Sequence, residues 1–216
     1  MRIVPRMPQL LKQRQGGRLG SRVVIATVAL LIFQAPHATG AETAGQVEEI
    51  KGEASADANG ARRSLDRASP LYVGDSVTTG PAARLTMHLG KDTTVRLGEQ
   101  AHLVIDQFLS ATGGEISLQS GPMLFDRPGD GPRIPMQIRS SYALIAVRGT
   151  RFFAGPSNGV FGIFVEHGAV DVSGGGGTVT LQAGQGTNIV SPGSAPTTPV
   201  LWGKERISAA FASVQQ

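Results

Sequence analysis

The chain has 216 residues, enough for one domain with a sizeable core, and it contains no cysteine. Disulfides are therefore excluded, and stability must come from packing. The formal net charge of +4 reflects 20 Lys and Arg against 16 Asp and Glu. This balance misleads about possible partners, because the basic residues are unevenly distributed along the chain.

Six of the 20 basic residues lie before position 23, whereas the first acidic residue is Glu42. An eleven-residue apolar run, Val23 to Phe33, follows them, and small residues lead up to Ala41. This order predicts a secretory signal peptide over residues 1–41. The alternative is an uncleaved membrane anchor, although a comfortable span needs about 20 apolar residues.

Residues 42–216 carry 14 Lys and Arg against 16 Asp and Glu, a net charge of −2. No dense basic patch remains to neutralise phosphates, which argues against nucleic acid as a partner. The same residues contain 25 glycines, and this composition favours an all-β fold rich in turns. We expect a periplasmic protein with no stable membrane span after the signal peptide is removed.

One pattern, apolar-x-apolar-x-x-Gly, occurs four times, and each copy predicts a short strand that ends in a glycine turn. The copies are residues 85–90, 116–121, 163–168 and 179–184. Their irregular spacing argues against a strict solenoid. We predict short antiparallel hairpins stacked in a β-helix-like sandwich over residues 42–192, with one hairpin turning at Gly98. Chance recurrence in a glycine-rich β protein is the alternative.

The tail, residues 193–216, opens with a linker of Pro, Ser and Thr. It then places Ile207, Phe211 and Val214 at positions i, i+4 and i+7, which predicts a short amphipathic helix. Trp202, the only tryptophan, is expected to pack where this tail docks.

The most distinctive stretch is Ala143–Phe153, in which an Arg-Gly-Thr break separates two apolar runs. Val147 and Phe152 suit strands on either side of the break. Gly149 allows the backbone to bend or bulge there without a Cβ clash.

The order Val-Arg-Gly-Thr-x-Phe resembles the hallmark of the FecR domain family, the extracytoplasmic all-β module of bacterial iron-responsive cell-surface signalling regulators. Other segments resemble the family in the same order, and together they span roughly residues 47–190. These segments are residues 71–80, 83–89, 94–98, 113–125, 165–172 and 181–186. The resemblance marks a set of structural positions: Gly74, Asp75, Val147, Gly149, Phe152 and Gly168.

The resemblance implies a non-enzymatic binding or signal-relay module in the periplasm. Its partner would be a cell-envelope protein, such as an outer-membrane receptor or a regulator. Family members that regulate sigma factors carry a cytoplasmic helical domain, for which residues 1–22 are too few, so we expect a free-standing exported copy. The alternative is a cell-wall or polysaccharide-associated binding protein, because FecR-like domains also occur beside wall-binding modules.

Arg148 is expected to need partners for its five donors, and Glu166 or Asp171 could supply them. One interpretation is an arginine that fixes the corner, and the other is a residue that contacts a partner. Thr150 is expected to cap the same turn. The candidate partner-binding residues are Arg148, Thr150, Arg151 and Phe153.

The sequence offers little support for catalysis or metal binding. His88, His102 and His167 are scattered and lack the spacing of metal ligands. Ser140 and Ser141 have no visible base partner, and no nucleophile elbow or phosphate-binding loop is present. We therefore expect no catalytic residue, no metal site and no cofactor.

Overall fold

The computed structural model describes residues 42–109, 113–129 and 135–215, all within a compact unit that spans Gly40–Gln216. The predicted signal peptide lies outside the described residues. The described part contains eighteen strands and one helix. They are β1 Thr43–Lys51, β2 Ala54–Ala58, β3 Ala61–Ser64, β4 Pro70–Tyr72, β5 Ser76–Thr79, β6 Arg84–Leu89, β7 Thr93–Leu97, β8 His102–Leu109, β9 Gly113–Ser120, β10 Met123–Asp126, β11 Met136–Ser140, β12 Leu144–Val147, β13 Arg151–Ser157, β14 Val160–His167, β15 Ala169–Gly174, β16 Gly177–Gln182, β17 Gln185–Ile189, β18 Val200–Leu201 and α1 Lys204–Ala212.

The strands form two nine-stranded sheets. The first sheet has the order β18-β17-β14-β13-β10-β7-β6-β1-β4, and the second has the order β16-β15-β12-β11-β9-β8-β5-β2-β3. All neighbouring strands are antiparallel except β9 and β11, which are parallel. The chain alternates between the sheets, with hairpins β6–β7 and β13–β14 in the first and β8–β9, β11–β12 and β15–β16 in the second. The predicted fold of stacked short hairpins is confirmed.

The four glycines of the recurring pattern all have positive φ, between 62° and 82°, as a glycine turn predicts. Only the first, Gly90, closes a hairpin. The glycines at 121, 168 and 184 instead carry the chain from one sheet to the other. The hairpin predicted around Gly98 is wrong, because β7 pairs with β6 and β10 whereas β8 pairs with β5 and β9. The alternation of apolar residues cannot distinguish a hairpin within one sheet from a crossing to the other sheet, because both sheets turn an apolar face inward.

The main core lies between the two inner faces. In β7, for example, Thr93, Val95 and Leu97 are buried and the residues between them are partly exposed. Phe125 of β10 and Phe152 of β13 are fully buried neighbours, with ring centroids 5.4 Å apart. Each large side chain buried in this way contributes about 1.5–3 kcal/mol relative to an exposed one.

The strands β10, β13 and β14 are buried on their outer face as well. Leu124, Phe153 and Phe164 lie side by side there in the strand register. They form a second apolar cluster with residues of the C-terminal tail. This double burial explains why these strands have almost continuous apolar sequences instead of an alternating pattern.

The helix α1 covers this outer row. Phe211 and, just after the helix, Val214 belong to the cluster, and Ile207 packs against it. Trp202 packs where the tail docks, as expected, with its ring centroid 5.2 Å from that of Phe164. The indole lies directly on β17, where a Cβ on Gly186 would come within 2.2 Å of Trp202 Nε1.

Polar contacts fix the tail as well. Arg206 lies over the Trp202 ring, 3.6 Å from its centroid, and donates hydrogen bonds to Ser157 Oγ and Asn188 Oδ1. Burial lowers the pKa of the Arg206 guanidinium. The segment before α1, predicted as a linker, is held on β17 because Thr187 Oγ1 donates to the Thr197 carbonyl at 2.6 Å.

Replacing Phe211 by Ala should destabilise the protein by about 3 kcal/mol, because a nearly buried ring is lost from the outer cluster. As the only tryptophan, Trp202 reports this change directly, and its emission should shift to longer wavelength. Urea denaturation followed by tryptophan fluorescence measures both effects. Lys204→Ala, an exposed change on the same helix, is the control and should alter neither.

Candidate functional site

The Arg-Gly-Thr segment forms the connection between β12 and β13, called here the Arg148 corner (residues 147–151). Val147 ends β12 and is buried, and Arg151 begins β13. Arg148 between them is exposed, and Thr150 is buried. The corner therefore presents one arginine outward while its flanking residues are anchored in the sandwich.

Three glycines allow three connections to meet tightly at this corner. Gly149 has a φ of +58°, and a Cβ on it would lie 2.6 Å from the Cα of Gly129 in the connection after β10. Gly168, between β14 and β15, has a φ of +81°, and its added Cβ would lie 2.4 Å from the Gly149 carbonyl oxygen. No side chain fits between these backbones, so the corner has a fixed shape.

Arg151 is the most strongly paired residue of the corner. Its Nη1 donates to Asp126 Oδ2 at 2.8 Å, and its Nε forms an ion pair with Glu166. All three side chains are partly exposed, and the strand register places Asp126 directly opposite Arg151. The arginine therefore joins β10, β13 and β14 at their ends.

A second arginine, Arg127, contacts the corner through its backbone. Arg127 is buried and lies 3.3 Å from Asp92 in the β6–β7 turn. Its backbone N–H donates to the Thr150 carbonyl at 3.0 Å. The residues around Arg127 and Arg151 line a pocket of about 590 Å³ with mixed charges, into which Glu166 and His167 also project.

Arg148 differs from Arg127 and Arg151, because it is unpaired among the described residues. The prediction that Glu166 or Asp171 pairs with Arg148 is wrong. Glu166 pairs with Arg151, and Asp171 accepts a hydrogen bond from Thr180 Oγ1 at 2.6 Å. Within the described part of the chain, Arg148 makes no hydrogen bond or ion pair. The reason is strand geometry, because Arg151 is the arginine whose side chain shares a face with Glu166 across β13 and β14.

Thr150 and Phe153 are both buried and offer no exposed surface of their own. Thr150 Oγ1 has no hydrogen-bond partner, so the hydroxyl does not cap the turn as expected. Phe153 packs beneath α1 with Phe164. Of the four candidate partner-binding residues, Arg148 and Arg151 are the ones that reach the surface.

The other structural positions of the motif lie where they shape the fold. Phe152 belongs to the main core. Gly74 has a φ of +90° and donates its N–H to the Ile105 carbonyl. Asp75 beside it is fully buried and accepts hydrogen bonds from both Nη atoms of Arg63 and from the Tyr72 N–H. Hydrogen bonding to Asp75 raises the pKa of Arg63.

The histidines do not converge. His88 lies on β6 in the first sheet, with its Nε2 3.1 Å from Glu48 Oε2, whereas His102 lies on β8 in the second sheet, 2.7 Å from Ser76 Oγ. Local sequence patterns do not predict this serine–histidine contact, because Ser76 and His102 lie on separate strands, 26 positions apart. Among the described residues, no group of three or more His, Asp or Glu is placed to hold a metal ion.

Beside Arg148, a groove of about 500 Å³ runs along the outer face of the second sheet. Its lining includes the small residues Ala146 and Ala169, and the buried Val147 and Val170 of the main core lie at its edge. Asp171 and Thr180 form its polar side. We call it the Arg148 groove.

The fold and the corner together define a two-sheet β module built around an Arg-Gly-Thr connection. Residues 75–171 match the family described as FecR protein, a segment that begins beside Gly74 and contains the whole corner. This part of the chain is therefore a FecR-like domain.

Solved structures support the fold. Two crystal structures, at 1.65 Å and 2.50 Å resolution, are of a protein from Parabacteroides distasonis ATCC 8503 described as a "putative anti-sigma factor". Each gives a TM-score of 0.52 at 13% identity over 63% of this chain and 64% or 63% of its own. This chain thus spans less than two thirds of their length, and at this identity the likeness concerns the fold. No curated protein matches the chain.

α1 is far too short to cross a bilayer, and nothing else that the structure describes forms a membrane-spanning helix.

Removing the side chain of Arg151 should destabilise the protein by about 1 kcal/mol, because Asp126 and Glu166 then lose their shared cation. Arg148→Ala should change the free energy of unfolding by less than about 0.5 kcal/mol, since Arg148 is exposed and unpaired. Urea denaturation of both variants tests this assignment. An Arg148→Ala variant as unstable as Arg151→Ala would contradict it.

The glycine contacts at the corner can be tested with a matched pair. Gly168 and Gly176 have nearly equal φ, +81° and +80°, but only Gly168 faces other backbone, and the space around Gly176 is open. Gly176→Ala should cost about 1–2 kcal/mol for its left-handed backbone. Gly168→Ala should cost about 1–3 kcal/mol more, because its Cβ meets the Gly149 carbonyl. Equal thermal shifts for the two variants would argue against the tight corner.

Proposed function

We propose that this protein is a non-enzymatic signal-relay module of the bacterial cell envelope that acts through contacts with another protein. The FecR domain over residues 75–171 supports this assignment. So does the fold shared with the protein described as a putative anti-sigma factor. The periplasm, to which the N-terminal sequence would direct the chain, is the compartment that fits the proposal.

The observation that carries the proposal is the state of Arg148. Its guanidinium is exposed and makes no polar contact within the described residues, while the backbone beneath it is fixed by the glycine contacts. Arginine is enriched in binding hot spots because it offers five donors and an apolar stem. A fixed backbone also lowers the entropy lost when a partner binds.

The Arg148 groove supplies the neighbouring contact surface. Its small apolar residues can accept apolar side chains from a partner, and Arg148 at its edge can pair with a carboxylate. Arg151 would add positive charge nearby, although Asp126 and Glu166 already compensate it. We propose that the partner is a cell-envelope protein, such as an outer-membrane receptor or a regulator, that presents an acidic residue to Arg148.

The test uses the full chain, immobilised and exposed in parallel to solubilised outer-membrane proteins and to intact sacculi from its native host. The wild type should retain an envelope protein that mass spectrometry identifies. Arg148→Glu should retain at least about tenfold less of it, because the expected carboxylate is then repelled. Melting temperatures should remain equal.

Arg67→Glu is the matched control, because Arg67 is also exposed but lies far from the corner in sequence, between β3 and β4. This variant should bind as the wild type does. Unchanged retention of the same protein by Arg148→Glu would contradict the proposal, and so would retention by sacculi with no protein partner.

A further inference from the structure

A separate pocket lies at the other ends of β12 and β13, away from the Arg148 corner. It has a volume of about 380 Å³ and is lined by parts of both sheets, including Tyr142, Phe161, Gln119 and Ser141. This volume lies within the range of small-molecule sites, about 300–1,000 Å³. We call it the Tyr142 pocket.

Tyr142 is held in a fixed position at this pocket. Its ring stacks on Phe161, with centroids 4.5 Å apart and planes within 4° of parallel, and Phe161 is itself almost buried in the main core. Ser140 Oγ accepts hydrogen bonds from the backbone N–H groups of Tyr142 and Ala143, which fixes the turn. The Tyr142 hydroxyl makes no hydrogen bond to any described residue, so it is available to a ligand.

The remaining lining is polar but uncharged. Gln119 and Ser141 are exposed and bring an amide and a hydroxyl to the rim, and Val160 and Val190 add apolar surface. Val190 is 70% exposed. No charged side chain of the described residues lines this pocket, in contrast to the mixed charges of the pocket at the corner.

We propose that the Tyr142 pocket binds the end of an uncharged oligosaccharide. A sugar ring combines a face of C–H groups, which packs on an aromatic ring, with hydroxyls that pair with amides and hydroxyls at the rim. A purely apolar ligand would leave the polar groups of Gln119, Ser141 and Tyr142 without partners, which is unfavourable. An ionic ligand would find no opposite charge.

This inference is independent of the proposed signal relay, because it concerns different residues and a different ligand. The test measures binding of three neutral probes, chitotriose, cellotriose and maltotriose, to the full-length protein by titration calorimetry and saturation-transfer NMR. At least one probe should bind at millimolar concentration. Tyr142→Ala should weaken that binding by about tenfold or more, whereas Tyr142→Phe should retain most of it.

The only other tyrosine, Tyr72, provides the matched control. It lies at β4 next to Arg63, and Tyr72→Phe should leave glycan binding unchanged. Gln119→Ala, a change at an exposed position, should also weaken binding and does not depend on the stability of the Tyr142 variants. Failure of all three probes to bind, or full binding by both Tyr142→Ala and Gln119→Ala, would overturn the proposal. Arg148→Glu should bind the glycan as the wild type does, which separates this outcome from that of the signal-relay test.

Discussion

The structure depends on the burial of both faces of β10, β13 and β14. Their inner faces, with Phe125 and Phe152, close the core between the sheets, and their outer faces need the C-terminal helix as a cover. If the tail were removed, the row of Leu124, Phe153 and Phe164 would face water. The helix is therefore an integral part of the fold, and it fixes the strand from which the Arg148 corner emerges.

The two ends of β13 differ in the side chains that surround them. At its start, charged groups are compensated within the protein, since Arg151 is shared by Asp126 and Glu166. Near its end lies the Tyr142 pocket, where Tyr142 stacks on Phe161 and no charged side chain of the described residues forms part of the lining. The two pockets near the ends of β13 thus differ in charge, since the first is lined by acidic and basic side chains and the second is lined by uncharged ones.

Local sequence patterns predicted the strands and the glycine turns better than they predicted which strands pair with each other. Each glycine of the recurring pattern turns the chain as expected, because a positive φ is a local property. Whether the next strand returns to the same sheet depends on distant partners, and so the hairpin at Gly98 was wrongly predicted. Asn158 and Gly159, by contrast, form the tight turn of the β13–β14 hairpin, and both have the positive φ that such a two-residue turn requires.

At the candidate site, too, local features were predicted and contacts between distant residues were not. The resemblance predicted the corner with Gly149 and Gly168, because the backbone conformation there requires glycine, whereas Gly129 was not predicted. It did not show which arginine is paired, since Arg148 and Arg151 are chemically alike and only the strand register places Asp126 opposite Arg151. The stacking of Tyr142 on Phe161 was not predicted, because Phe161 lies 19 positions away, on another strand.

The alternation of hairpins between two sheets gives the protein an almost one-dimensional order, in which each hairpin touches mainly the hairpins before and after it. Proteins with this kind of order can lengthen or shorten by whole units, because the cost of a change stays near the place where it occurs. Duplication of one hairpin would insert a rung without disturbing the strands at either end. The architecture therefore allows the length of the domain to vary during evolution while the Arg148 corner and the Tyr142 pocket keep their shapes.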